Sequence, residues 1–188
     1  MLNVANVIKS ASMMLSVEEL KNFPEIQDDE MSNNLSDLML YCLNEVIAEL
    51  SCNYFPLVVE EEVELTDGCV YYQDLEKPVV RIYAVKDSEQ KTLPYQKFSD
   101  HLRVYNNLEK VIVRHSIMPQ KITSEMTEIK DINVEVTEQM LALGVATEFC
   151  LCRGKLTQAT IFDQKFKDAI ESAKMPKKYM YLKKRNWF

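Results

Sequence analysis

The sequence predicts an α+β chain: a helical bundle built from N- and C-terminal helices with an inserted antiparallel β-meander, closed into a small barrel or sandwich. Three observations predict it. Apolar residues recur at spacings of three and four near both ends of the chain, the repeat of one helix face. Between Leu57 and Ile117 the period changes to two, in short runs separated by turn residues. The length of 188 residues, 47% of them hydrophobic and 27% charged, suits one soluble domain carrying an insertion. The division that follows is a bundle from residues 1–56 and 119–174, a β-module over 57–118, and a basic, aromatic docking tail over 175–188.

Taken in order, Val4, Val7, Ile8, Ala11 and Leu15 fit one face of a first helix. Ser16-Val17-Glu18-Glu19 has capping-box form, so a short helix from Val17 to Asn22 should follow and stop before Pro24. An acidic, solvated link runs from Glu25 to Glu30. The next helix spans about Ser32 to Asn53, with Leu35, Leu38, Met39, Cys42, Val46 and Leu50 as its buried stripe. Tyr54-Phe55-Pro56 ends it, because proline continues a helix only with strain.

The strand region opens with Leu57 to Leu65, alternating in its second half. Asp67-Gly68 is a hairpin signal, since both residues tolerate positive φ. Cys69 to Tyr72 returns. Pro78 introduces Val79 to Val85, which Asp87 to Gln90 turns. Thr92 to Phe98 and Leu102 to Tyr105 are weaker runs. After Asn106-Asn107, Val111 to Ile117 closes the series ahead of Pro119. Residues 119–134 are polar and read as a loop.

Val136 to Ala173 reads as two amphipathic helices joined at Gly154. Thr137 can cap the first by accepting from a free backbone N–H of its first turn. Met140, Leu141, Leu143, Ala146, Phe149, Cys150 and Cys152 mark that helix's apolar face. Leu156, Ala159, Ile161, Phe162, Phe166, Ala169 and Ile170 mark the face of the second. A left-handed residue after a helix costs least as glycine, and the short link makes the two helices antiparallel neighbours. Their combined apolar faces are too wide to satisfy each other alone.

Candidate chemistry is sparse. His101 and His115 are the only histidines and have no serine or cysteine motif beside them, so packing outweighs catalysis. Cys42, Cys52, Cys69, Cys150 and Cys152 contain no Cys-x-x-Cys pair and read as buried, reduced thiols. Glu60, Glu61, Glu62 and Glu64 form an acidic strand, read as a solvated face or one that meets a basic partner. Three glycines cannot build a phosphate-cradling loop. The reading is therefore no catalytic residue, no metal ligand set and no cofactor. No apolar run approaches the roughly 18–20 residues that span a membrane. The N-terminus lacks the order of a signal peptide, so the chain is expected to be made and kept inside a cell.

Charge is unevenly spread. The net charge is −7, yet six of the 22 basic side chains fall within Lys174–Phe188, where no acidic one occurs. The first 173 residues thus hold 16 basic and 29 acidic groups, a balance of −13. The end interleaves its cations with Tyr179, Tyr181, Leu182, Trp187 and Phe188. Such side chains gain by burial, and Trp, Tyr and Arg dominate interfaces. Docking on a partner is the preferred reading; folding back on its own domain and contact with nucleic acid are the alternatives.

Several segments together resemble a family: Tyr54-Phe55-Pro56-Leu57, Asp67-Gly68, Lys77-Pro78-Val79-Val80, Leu143-Gly144-Val145-Ala146-Thr147-Glu148-Phe149 and Lys184-Arg185-Asn186-Trp187. They look like those of the head-to-tail adaptor (connector) proteins of tailed bacteriophages and prophages. The resemblance covers nearly the whole chain through short, packing-type motifs. It implies a homo-oligomeric ring of about a dozen copies under the portal protein of the capsid, extending the exit channel and presenting a platform for tail proteins. It places the protein in the neck of the virion, after synthesis in the host cytoplasm. DNA would pass through without sequence-specific binding, past an acidic wall that keeps it from sticking. Lys183, Lys184, Arg185, Trp187 and Phe188 would be the docking residues. The rival reading is a cytosolic protein- or ligand-binding module with no catalytic activity.

Overall fold

A computed structural model describes residues 2–18, 23, 30–106 and 108–175, with the side chains of residues 30–32 excepted. The expected helix from Val17 to Asn22 lies mostly outside these residues. So do the docking residues Lys183, Lys184, Arg185, Trp187 and Phe188.

The chain begins with a two-residue strand β1 (Leu2–Asn3) and runs directly into α1 (Val4–Leu15). Asn3 caps α1, its side chain accepting from the Asn6 N–H at 3.1 Å. Ser16 closes the helix in the left-handed region at φ 56°. Helix α2 (Glu30–Glu49) passes into one π-turn, Leu50–Tyr54, before Pro56 forces the chain out of helix. Strands β2 (Leu57–Glu64), β3 (Cys69–Tyr71), β4 (Val79–Lys86), β5 (Tyr95–Lys97), β6 (His101–Val104) and β7 (Lys110–Ile117) follow. The polar connector then contributes β8 (Glu128–Ile129), and α3 (Glu138–Cys152) and α4 (Leu156–Lys174) complete the described chain.

The expected bundle of the two chain ends flanking one inserted meander does not hold: the described residues form four helices and three small antiparallel sheets. Strand orders are β2-β7-β4, β3-β6-β5 and β1-β8. Of the consecutive strands among the described residues only β5 and β6 pair, whereas a meander requires every one to pair with the next. The Asp67-Gly68 turn explains the first departure. Both residues take positive φ (54° and 76°), but the turn is closed only by a Thr66–Cys69 bridge. It passes the chain from one sheet to another instead of building a hairpin. The eight-residue β2 finds a full-length partner in the eight-residue β7, whereas the three-residue β3 pairs with β6. The third sheet joins the chain's start to the connector at 119–134, expected to be loop, with Leu2 opposite Ile129.

Two apolar clusters result. One gathers inward residues of both three-stranded sheets: Val63, Ile82, Val85, Val111 and Val113 from the first, Val70, Leu102 and Val104 from the second. The other is helical and centres on α3. Sequence periodicity gives α3 one apolar face; in the structure it is buried from Met140 to Thr147 and again at Phe149 and Cys150. Leu-Ala-Leu-Gly-Val-Ala is apolar on every side, and a helix of that kind is stable only when enclosed. Helices α1, α2 and α4 enclose it. Gly144 sets the closeness of this packing. A Cβ there would lie 2.6 Å from Val46 Cγ1 of α2 and 3.1 Å from Phe166 Cε2 of α4.

Candidate functional site

The described helices leave two grooves, one on each flank of α4. The one on the α2 side is the more distinctive. Its apolar floor includes Val46, Gly144, Ala159 and Phe166, and it has a volume of about 650 Å³. Leu156, expected on the apolar face of α4, stands at the groove's end 67% exposed, beside Leu151 at 47%. Glu49, Glu148 and Asp163 project along its rim. Burial holds the Glu49 carboxyl above the usual glutamate range, and the Asp163 charge adds to it. Glu148 is raised for the same first reason, with Glu49, Glu45 and Asp163 contributing repulsion. Among the described residues lining the groove, Lys167 is the single cation, and it is held by Asp163 at 2.6 Å.

The groove on the α1 flank is lined by Met14, Leu143, Phe162 and Ala169, with Lys165 and Asp168 at its margin. Asp168 already accepts from Gln164 at 2.9 Å, so this groove is less charged and better paired.

The histidines fall in two different settings. His101 stacks on Phe98 (centroids 4.6 Å apart, 9° between planes), and its Nδ1 lies 2.8 Å from Asp100. That hydrogen bond holds the Asp100 carboxyl below its usual range. His115 is fully buried in β7. Its Nε2 sits 3.2 Å from Glu61 Oε1, close enough for an ion pair but without an aligned hydrogen bond. The other Glu61 oxygen accepts from the Glu76 N–H at 2.9 Å.

The acidic strand divides by parity. Glu60, Glu62 and Glu64 face outward. Glu60 accepts from Lys86 at 2.8 Å, which holds its carboxyl below the usual range, and Lys110 lies 3.8 and 3.5 Å from Glu62 and Glu64. Glu61 faces inward. Glu62 and Glu64 thus stay a solvated acidic face, 64% and 80% exposed, while Glu60 is paired within the fold.

The thiols also differ from expectation. Only Cys42 and Cys150 are buried; Cys52 and Cys69 are partly exposed and Cys152 is exposed. All five are free. Burial, then the neighbouring Cys152 thiol, pushes Cys42 up to about 12, so it stays protonated. The sulfur neighbours are thus Cys42 and Cys152, on different helices, a contact that spacing along the chain does not show.

Among the described residues, no three His, Cys, Asp or Glu side chains converge as metal ligands, and no helix is long and apolar enough to cross a membrane. No protein-family model matches the chain, and no curated protein matches it.

Proposed function

We propose that this chain is a non-enzymatic structural protein of a phage virion, the head-to-tail adaptor that forms a ring under the portal and provides the platform for tail attachment and DNA passage. The observation that carries this reading is the division of charge: −13 over the first 173 residues against six cations in the last 15. The acidic part includes helices with open grooves, and the cationic part is rich in aromatic residues. Opposite surfaces of this kind suit head-to-tail contacts, which close into rings. In this reading Lys183, Lys184, Arg185, Trp187 and Phe188 dock on the portal or on a neighbouring subunit. Two of the segments that carry the resemblance fall at structural joints: Tyr54–Leu57 where helix gives way to strand, and Gly144 where three helices meet.

Deleting residues 175–188 tests it. The expected result is a chain with unchanged circular dichroism that no longer joins portal rings in electron micrographs. Normal attachment of the truncated chain would remove the docking role of the tail. Terminase and portal genes beside the coding sequence would support the adaptor reading independently.

One observation favours the rival binding module. Strands β2 and β4 are the outer strands of their sheet among the described residues, so either could take an added partner strand. Such a module would leave portal rings undecorated and bind an extended peptide instead.

A further inference from the structure

The groove on the α2 side of α4 combines an apolar floor with a rim of Glu49, Glu148 and Asp163, and Lys167, the one cation among the described residues that line it, is already taken. The carboxylates repel one another there, and Glu45 adds to the repulsion at Glu148. What fits such a groove is a narrow chain carrying several positive charges and several large apolar side chains.

The protein owns such a segment. Residues 176–188 hold five Lys or Arg side chains and no acid, together with Tyr179, Tyr181, Leu182, Trp187 and Phe188. The segment departs from the groove's own edge. Lys174 Nζ stands 4.6 Å from the centre of the Tyr54 ring, and Tyr54 lines the groove. Thirteen extended residues reach roughly 43 Å, whereas α4 is about 28 Å long. The segment is therefore long enough to turn at Pro176 and run back to Leu156. Attachment to α4 also gives it an effective concentration, of order millimolar for a short link, that a free ligand would have to match.

We propose that residues 176–188 fold back along this groove of their own chain, their cations meeting Glu49, Glu148 and Asp163 and their aromatic side chains covering Leu151 and Leu156. The inference stands apart from the adaptor reading. If both hold, the portal must draw the segment out of the groove before it can be gripped.

Trp187 is the only tryptophan, so its fluorescence reports the segment directly. In the full-length protein at low salt, its emission is expected to lie to the blue of the urea-unfolded chain and to be independent of protein concentration. Raising the salt to about 1 M, where the screening length falls to about 3 Å, should move it to the red. The double substitution E49Q/E148Q should do the same. That variant also relieves repulsion, so its thermal midpoint should hold or rise, which separates lost docking from lost folding. D168N, in the groove on the other flank of α4, should leave the emission unchanged. Emission equal to that of the unfolded chain would overturn the proposal, as would a blue shift indifferent to salt and to E49Q/E148Q. A shift that grows with concentration would overturn it in favour of a second copy as occupant. Portal attachment tested separately decides the adaptor reading, whichever way Trp187 reports.

Discussion

Helices α3 and α4 are neighbours joined by a short link at Gly154, yet they are used oppositely. Helix α3 is sunk among three other helices, with Leu141, Ala142, Val145, Ala146 and Cys150 all fully buried. Helix α4 buries Ala159, Phe166 and Ile170 and leaves Leu156 and Ile161 more than half exposed. Their ends differ too. Thr137 caps α3 by accepting from the Met140 N–H at 3.2 Å, whereas α4 starts at Lys155 with no side-chain cap. The difference teaches where stability and interaction reside. Helix α3 holds the body together; α4 gives one stripe to that body and keeps apolar surface, bordered by carboxylates, for something else.

The largest expected effect separates the two helices directly. Leu141→Ala removes side-chain volume from a fully buried site in α3 and should cost about 2–5 kcal/mol in urea unfolding. Ile161→Ala on α4, at a half-exposed site outside both grooves, should change stability by no more than about 0.5 kcal/mol. Comparable losses at both sites would erase the distinction. Next comes Gly144→Ala. Its methyl group must displace Val46, a stiff β-branched side chain, and press on Phe166. Overpacking of about 1–3 kcal/mol, offset by about 1 kcal/mol of gained helix propensity, leaves a net loss that differential scanning calorimetry can read. A net gain would mean that the α2–α3–α4 contact is looser than described. Thr137→Ala removes the cap of α3 and should cost about 1 kcal/mol.

The smallest effect concerns pH. Glu148 is held above the usual glutamate range, first by burial and then by neighbouring carboxylates. Between the ordinary glutamate value and that raised one, the folded chain therefore binds more protons than the unfolded chain. This contribution favours folding most below the ordinary value and is lost as pH rises through the window. The half-exposed position weakens it, so Glu148→Gln should stabilise the protein at neutral pH by roughly a few tenths of a kcal/mol and do nothing at pH 3. Equal stabilisation at both pH values would assign the effect to packing instead of charge.

Much of the local structure could be read from the residues, because local rules decide it. Thr137 before an apolar repeat, Gly154 after it, and Pro56 after Phe55 each act through their own backbone. The strands from Leu57 to Ile117 announced themselves by alternation. Which strand pairs with which was not legible. That choice depends on matching lengths and on an inner face shared by two sheets, and the hairpin signal at Asp67-Gly68 pointed to the wrong neighbour. The enclosure of α3 was visible in part, since Leu143-Gly144-Val145-Ala146 has no polar side. The Glu61–His115 pair had a signal that went unused. Both residues share the parity of their apolar neighbours, Val59 and Val63 on β2 and Val111 and Val113 on β7, and so had to face inward. The acidic groove beside α4 had none. Glu49, Glu148 and Asp163 come from three helices and meet only when those helices pack. The Cys42–Cys152 contact is hidden for the same reason.

Native-state hydrogen exchange tests the central structural claim, that α3 is the hub and α4 the partly open flank. Amides from Leu141 to Cys150 should exchange only through global unfolding, with protection matching the full unfolding free energy, while those from Thr160 to Asp163 should exchange sooner through local opening. Protection in α4 equal to or greater than that in α3 would contradict the account.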